Sequence, residues 1–304
     1  MAKNFVWRTA LAALLLPLSV IGLALVGLAL FFVTLPDVLQ LKACMTTSMH
    51  HVRLCPGENH YTPFNQISPD VINAVVASED AAFFSHQGFD WHEIQESFST
   101  NLKQRGFKRG GSTLTQQLAK NVFLTKDKSL LRKLREAALT IGLEKHFSKK
   151  ELLERYLNVV ELGPNIFGVH DAAKHYFAKA PSQLNVLESA FLAFLLPNPK
   201  GYSKSFQQKM LTPFARKGIS QIVRRLEAFK KISPETAQQA LANIDHFPWS
   251  DLSRESLEAG IVSSTTEPTD EQLQTIYEEQ LPTMEEAVEP DSSEAVDPDS
   301  STWD

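Results

Sequence analysis

The feature that most constrains this chain is an uncharged apolar stretch near its start, which is long enough to span a membrane. From Thr9 to Pro36, 28 consecutive residues include no Asp, Glu, Lys or Arg. A helix needs about 20 such residues to cross a bilayer. A cleaved signal peptide has a shorter apolar core and a small-residue cleavage site, and "LALFFVTLP" offers no such site. Residues 9–36 are therefore predicted to form an uncleaved transmembrane anchor.

The charges that flank this stretch predict its orientation. Lys3 and Arg8 precede it, and Asp37 follows it. Positively charged flanks favour the cytoplasmic side of a membrane. Residues 1–8 are therefore expected in the cytoplasm, and the rest of the chain outside it.

The net charge of −5 conceals two regions of opposite sign. The last fifty residues, from Glu255 to Asp304, hold 15 acids and no Lys or Arg, so residues 1–254 carry a formal charge of +10. A basic body on a membrane anchor suits an anionic partner, such as lipid headgroups or a phosphate-bearing substrate. Residues 249–304 are acidic, rich in Ser and Pro and poor in large apolar residues, which predicts a disordered tail.

The two cysteines lie close together after the anchor. Cys44 and Cys55 are expected to form a disulfide, because a pair outside the cytoplasm meets oxidising conditions. His50, His51 and His60 are nearby, so a metal site stays open as an alternative, although the spacings match no zinc pattern.

Beyond a linker or collar at residues 37–62, helix signals dominate. Ser68 is placed to cap a helix that carries Glu79 at its end, and Ser148 with Glu151 forms a capping box. The stretch after residue 90 carries Trp91, Ile94, Phe98 and Leu102 at helical spacing, which fits either a core helix or a helix lying in the membrane interface. No long stretch shows the alternation typical of β-strands, so residues 63–248 are predicted to be one mainly α-helical domain.

A pair of adjacent acids is the first stretch that suggests chemistry. "SEDAAFFSHQG" sets Glu79 and Asp80 beside Phe83 and Phe84. The acids could simply face water at a helix end. Alternatively, burial against the rings and a second acid would raise the pKa of a carboxyl towards that of a general base.

A second stretch combines glycines, amides and cations. "RGGSTLTQQLAKN" at residues 109–121 crowds hydrogen-bonding groups behind two glycines. Five basic residues then cluster around Glu136: Lys120, Lys128, Arg132, Lys133 and Arg135. A solvated helix face is the usual meaning of such a pattern, but the clustering would also suit a clamp for a diphosphate.

Four motifs in order carry a family resemblance. Residues 79–88 fit E-D-x-x-F-x-x-H-x-G, and residues 110–121 fit G-G-S-T-x-T-Q-Q-x-x-K-N. Residues 132–136 fit R-K-x-x-E, and residues 154–163 fit E-x-Y-L-N-x-x-x-x-G. Together they resemble the peptidoglycan glycosyltransferases, both the transglycosylase domain of class A penicillin-binding proteins and the monofunctional, single-domain enzymes.

The resemblance implies a fold, a reaction and a location. The fold would be a lysozyme-like helical domain with two lobes and a cleft. The enzyme would transfer a lipid-linked glycan onto lipid II in the bacterial inner membrane, with inversion to a β-1,4 bond and release of undecaprenyl diphosphate. Cell-wall synthesis proteins would be possible partners, and nucleic acid would not. Only a low-complexity stretch of about 55 residues, acidic in character, follows the helices, and it contains no K-T-G or S-D-N element, so no transpeptidase activity is expected.

The resemblance also assigns roles by motif position. Glu79 would be the general base, and Glu136 the second essential acid. Substrate contacts are implied for Arg109, Ser112, Thr113, Gln116, Gln117, Lys120, Asn121, Lys128, Arg132 and Arg135. Lys128 replaces an arginine found in many members, and Ala178 replaces a glycine. Mg²⁺ or Mn²⁺ could accompany the diphosphate, but no dedicated metal ligand cage is evident.

Two other functions remain open from the sequence. A lytic, lysozyme-like hydrolase would also place a carboxylate at a helix end, but it has no need of the basic cluster. A non-catalytic scaffold for wall synthesis would tolerate loss of the acids and cations, which are all present here.

Overall fold

The computed structural model describes residues 19–103, 111–127 and 129–249. The predicted cytoplasmic residues 1–8, the first part of the predicted anchor and nearly all of the predicted acidic tail lie outside this described part. Within it the chain is mainly α-helical, as the sequence predicted.

An apolar helix, α1, runs through residues 19–33. The helical run Ser19–Lys42 is long and apolar enough to cross a membrane, and its most apolar window is not buried against any other part of the protein. This helix fits a single-pass membrane anchor, and it ends just before Pro36, where the sequence pattern ends.

Residues 37–62 form a packed collar. A 3₁₀ turn at Val38–Lys42 is followed by a two-stranded antiparallel hairpin, β1 (Met45–Thr46) with β2 (Arg53–Leu54). Leu41 and Leu54 are fully buried in the domain core. A disulfide joins Cys44 to Cys55, as predicted, and it closes this hairpin.

The domain helices follow in chain order: α2 (Pro69–Glu79), α3 (Trp91–Lys103), α4 (Leu114–Phe123), α5 (Leu130–His146), α6 (Lys149–Val159), α7 (Gly168–Phe177), α8 (Val186–Leu195), α9 (Pro199–Tyr202), α10 (Lys204–Gln207), α11 (Pro213–Ala228) and α12 (Pro234–Ala242). Short 3₁₀ turns occupy Phe64–Gln66 and Pro181–Gln183, and β3 (Glu161–Gly163) pairs with β4 (Ile166–Phe167). Side-chain caps predicted from the sequence are present at Ser68 and Ser148.

The helices pack as two groups. Helices α2, α8 and α11 contact one another, and α12 joins them through α11, while α4, α5 and α6 form the second group. The buried apolar residues of both groups belong to one continuous core. The C-terminal end of α2 therefore presents Glu79 towards α4 of the other group, which is where the motif residues meet.

Candidate active site

Glu79 is held at the end of α2 by a chain of hydrogen bonds. Gln117 of α4 donates from Nε2 to Glu79 Oε2 over 2.9 Å, and the buried hydroxyl of Tyr156 donates to Gln117 Oε1 over 3.0 Å. Burial raises the pKa of the Glu79 carboxyl, and the neighbouring charge of Asp80 adds to this effect. The bond from Gln117 and the charge of Lys120 act in the opposite direction, and the pKa stays above its usual value.

Asp80 has a structural role, because its carboxylate holds neighbouring segments together through hydrogen bonds. It accepts hydrogen bonds from the Leu114 backbone N–H at the start of α4, over 2.8 Å, and from His86 Nε2, over 2.9 Å. The Gly88 N–H donates to His86 Nδ1 over 3.1 Å. His86 therefore carries its proton on Nε2, and it links Asp80 at the end of α2 to the turn at Gly88.

At the start of α4, two residues that were predicted to contact the substrate form hydrogen bonds within the protein instead. Thr113 caps the helix, and its N–H donates to Gln116 Oε1 over 3.0 Å in a capping box. The Thr113 hydroxyl also donates to the Gly88 carbonyl. Thr113, Gln116 and Asn121 are all buried. These side chains shape the wall of the site in this structure.

Glu136 lies buried in a ring of cations from α4 and α5. Lys133 Nζ pairs with Glu136 Oε1, and Arg132 lies 3.6 Å from Glu136 Oε2. Lys133 also reaches the Ser112 hydroxyl, over 3.3 Å. Burial lowers the pKa of Lys120, while the negative charge of Glu136 acts in the opposite direction. The acid and the cations thus form one electrostatic unit.

Two arginines of this unit hold unused donors. The Nε atoms of Arg132 and Arg135 are buried and have no hydrogen-bond partner among the described residues. An unpaired buried donor is costly, whereas an anionic ligand would satisfy both donors and charges. The arrangement can therefore bind a phosphate-like anion.

The structure brings most of the predicted site residues together around α4 and α5. Arg109 and Lys128 lie outside the described residues. Tyr156 and Lys133 were absent from the substrate contacts that the resemblance implied, although both stand in motifs that carried it and Lys133 was counted in the basic cluster. Tyr156 could have been suspected as a polar aromatic on an otherwise apolar helix face.

The residues at Glu136 do not fit a protein-held Mg²⁺ or Mn²⁺. Both of its carboxylate oxygens face Lys133 and Arg132, so the acid offers no free ligand to a cation. Within the described part of the chain, groups of three metal-ligating side chains lie elsewhere.

The fold and the site together define the class of protein: a helical enzyme behind an apolar anchor helix, with a buried acid set beside an anion-binding cluster. Comparison with known sequences narrows this class. A family model described as Transglycosylase matches residues 48–225. The chain therefore belongs to the transglycosylase family, and the prediction of a peptidoglycan glycosyltransferase is confirmed.

Individual relatives agree with this assignment. A biosynthetic peptidoglycan transglycosylase of Nitrosomonas eutropha is 44% identical over 165 residues, which cover 54% of this chain and 68% of the relative. Proteins of the same name from Dechloromonas aromatica and Methylobacillus flagellatus are 45% and 43% identical, over 49% and 52% of this chain and 64% and 69% of the relatives. The aligned regions thus span about two thirds of each relative.

Proposed function

We propose that this enzyme polymerises glycan strands by joining a lipid-linked glycan donor to lipid II as acceptor. Glu79 removes the proton from the 4-hydroxyl of lipid II as that oxygen attacks C1 of the donor sugar. The new bond forms with inversion to a β-1,4 linkage. The bond to the diphosphate breaks, and undecaprenyl diphosphate leaves with the electron pair.

The environment of Glu79 supports its role as the base. The pKa of its carboxyl lies above the usual value, which strengthens it as a proton acceptor near neutral pH. Gln117 holds Oε2, while Oε1 accepts no hydrogen bond from the described residues. The carboxylate is thus oriented through one oxygen and can receive a proton on the other.

The cations on α4 and α5 support binding of the leaving diphosphate. Arg132 and Arg135 offer unpaired Nε donors, and Lys120 adds a partly buried positive charge. Negative charge grows on the leaving oxygen in the transition state, and preorganised cations stabilise it there. Glu136, held by Lys133 and Arg132, keeps this group of cations in place.

The observation that carries the proposal is the path of α4. Gln117 and Lys120 stand one turn apart on the same helix face. Gln117 bonds to Glu79, while Lys120 interacts with the charge of Glu136. One rigid helix thus links the acid that would activate the acceptor to the cations that would take the leaving group.

We also propose the location implied by this chemistry. The anchor would cross the bacterial inner membrane once, with residues 1–8 in the cytoplasm and the catalytic domain outside. The disulfide between Cys44 and Cys55 supports this orientation, because such bonds persist in oxidising compartments. A polyprenyl-linked substrate would then reach the site from the same membrane.

Incubation of the detergent-solubilised full chain with lipid II tests the proposal. The native enzyme should produce long glycan, and Glu79→Gln should lower the rate by about 10²–10⁴-fold, as expected for loss of a general base. Glu227→Gln, a half-exposed acid on α11, is the control and should retain activity. Shortening of preformed glycan would favour a lytic hydrolase, and no change in either substrate would favour a scaffold.

A further inference from the structure

A second cluster of polar side chains lies where the collar meets α7. His60 Nδ1 is 2.8 Å from Asp171 Oδ1, and His170 Nδ1 is 3.0 Å from the same oxygen. The two imidazole rings have centroids 5.3 Å apart. One ligand atom from each residue lies within 4.8 Å of the other two. No residue of this cluster takes part in the proposed transfer reaction.

Local structure fixes all three residues independently of one another. His170 and Asp171 belong to the first turn of α7, so their backbone positions are set by the helix. The segment that carries His60 is held to α6, because the Thr62 N–H donates to Asn158 Oδ1 over 2.7 Å and the Tyr61 hydroxyl donates to Glu154. Helices α6 and α7 pack together. The fold itself therefore brings the three side chains together.

We propose that His60, His170 and Asp171 form a binding site for a divalent transition-metal ion, specifically Zn²⁺. Two imidazole nitrogens and one carboxylate oxygen are ligands that Zn²⁺ takes at about 2.0–2.2 Å. Tetrahedral bonds of that length place neighbouring ligand atoms about 3.4 Å apart. The observed Nδ1–Oδ1 separations of 2.8 and 3.0 Å need to open by only about half an ångström.

The donor set of the cluster suits a cation. Asp171 is half-exposed, and its Oδ1 faces the Nδ1 atoms of both His60 and His170. Both imidazoles point Nδ1 at one oxygen, and a metal ion would take the place of the protons on those nitrogens. Water would complete the coordination.

A metal ion can reach this cluster from solvent, whereas a second group of potential ligands near the hairpin cannot bind one through its sulfurs. The side chain of His60 is 76% exposed, which gives an ion a direct path. His170 also lines a cavity of about 480 Å³ together with Tyr61 and Lys174. Among the described residues, a second group of three potential ligands, Cys44, Cys55 and Glu58, contains two sulfurs that are joined in the disulfide.

A bound ion would clamp the collar to the domain. The disulfide closes the hairpin at one end of the collar, and the metal would tie its other end, through His60, to α7. Such a link binds the native state and not the unfolded chain, so it should raise the melting temperature as the free ion concentration rises.

Zinc titration of the chelator-treated full chain in detergent tests the site. The native chain should bind about one Zn²⁺ with a dependent rise in Tm, measured by calorimetry and by metal analysis after dialysis. His60→Ala should weaken binding by more than about 100-fold, since even outer-shell partners of a metal cost about 10–100-fold. Asp171→Asn should weaken binding too, with the helical circular dichroism spectrum unchanged.

His92→Ala is the matched control. His92 is likewise an exposed imidazole beside one acid, Glu96 at 3.5 Å, but it belongs to no group of three potential metal ligands in the described part of the chain. Its loss should leave zinc affinity and the zinc-dependent Tm shift unchanged. The proposal is overturned if His60→Ala binds Zn²⁺ as the native chain does, or if the native chain shows no saturable binding.

Discussion

At the scale of single residues, the protonation of Glu79 is set by a balance of neighbours. Burial and Asp80 raise the pKa of its carboxyl, whereas Gln117 and Lys120 lower it. A base works only when deprotonated, so activity should be lost as pH falls through this raised pKa. The same shift affects the stability of the fold in the opposite direction. Glu79 contributes most to the free energy of unfolding at low pH, where it is protonated, and this contribution is lost as pH rises through its folded-state pKa.

Gln117→Leu should move the acidic limb of the pH profile to higher pH. The substitution removes a hydrogen bond that stabilises the charged form of Glu79, so the pKa of the carboxyl should rise further. The dependence of kcat/KM on pH reports this ionisation in the free enzyme. Gln221→Leu, on the exposed face of α11, is the control. An acidic limb that stays in place or moves to lower pH would contradict this account of Glu79.

Ala178, which replaces a glycine of the family pattern, lies in a strained backbone conformation. The residue ends α7 in the left-handed conformation, with φ of 53°, and its N–H bonds back to the Ala173 and Lys174 carbonyls. A left-handed residue with a Cβ is strained by about 1–2 kcal/mol, and glycine is not. The alanine noted as a departure from the family pattern therefore lies where glycine is conformationally preferred.

Ala178→Gly should raise the free energy of unfolding by about 1 kcal/mol, measured by denaturant titration. Ala172→Gly, within the same helix and buried, should lower it by about the same amount, because glycine costs about 1 kcal/mol in a helix interior. If Ala178→Gly destabilises the protein as Ala172→Gly does, strain at the cap is not a factor.

At the scale of elements, α5 has two opposite faces. Glu136, Leu139 and Leu143 are buried. On the other side, four apolar side chains are at least half exposed, and they share one stripe of roughly 100°: Leu130, Leu131, Leu134 and Ile141. By helical periodicity this stripe lies opposite the face that carries Arg132 and Glu136.

The collar connects this helix to the end of the apolar anchor helix. The turn Val38–Lys42, which follows the anchor helix, packs on α5, where a Cβ at Gly142 would lie 3.2 Å from Val38 Cγ1. An apolar helix face beside the point where an anchor leaves the bilayer suits the interface.

The α3 stripe predicted from the sequence is described only in part. Trp91 is exposed and Ile94 is half-buried, while the side chains of Phe98 and Leu102 lie outside the described part. That prediction stands untested.

A dye attached to Leu134→Cys should be quenched by nitroxide-labelled lipid when the full chain is reconstituted in bilayers. The native cysteines are joined to each other and leave the new thiol as the reactive one. Met210→Cys is the control, because Met210 is equally apolar and 66% exposed but lies outside the α5 stripe. Equal quenching at the two positions would remove α5 from the membrane interface.

At the scale of the whole molecule, the sequence predicted what local patterns determine. The caps at Ser68 and Ser148 set helix starts by contacts within three residues, so they could be read directly. The motifs named Glu79, Glu136 and Lys120, which the structure brings close to one another through α4, and their roles in a reaction stay predictions. Contacts between distant segments could not be read this way. The burial of Leu41 depends on how the collar packs on α5, and the meeting of His60 with Asp171 depends on how the collar and α7 pack on α6.

The orientation of the whole chain is the last prediction. Lys3 and Arg8 favour a cytoplasmic N-terminus, and the disulfide between Cys44 and Cys55 favours an oxidising compartment on the other side of the anchor. In intact spheroplasts, a membrane-impermeant maleimide should label the native cysteines only after an impermeant reductant is added. Ala2→Cys should gain a label only after permeabilisation. Labelling of Cys44 and Cys55 without reductant, and only in permeabilised cells, would place the domain in the cytoplasm and reverse the topology.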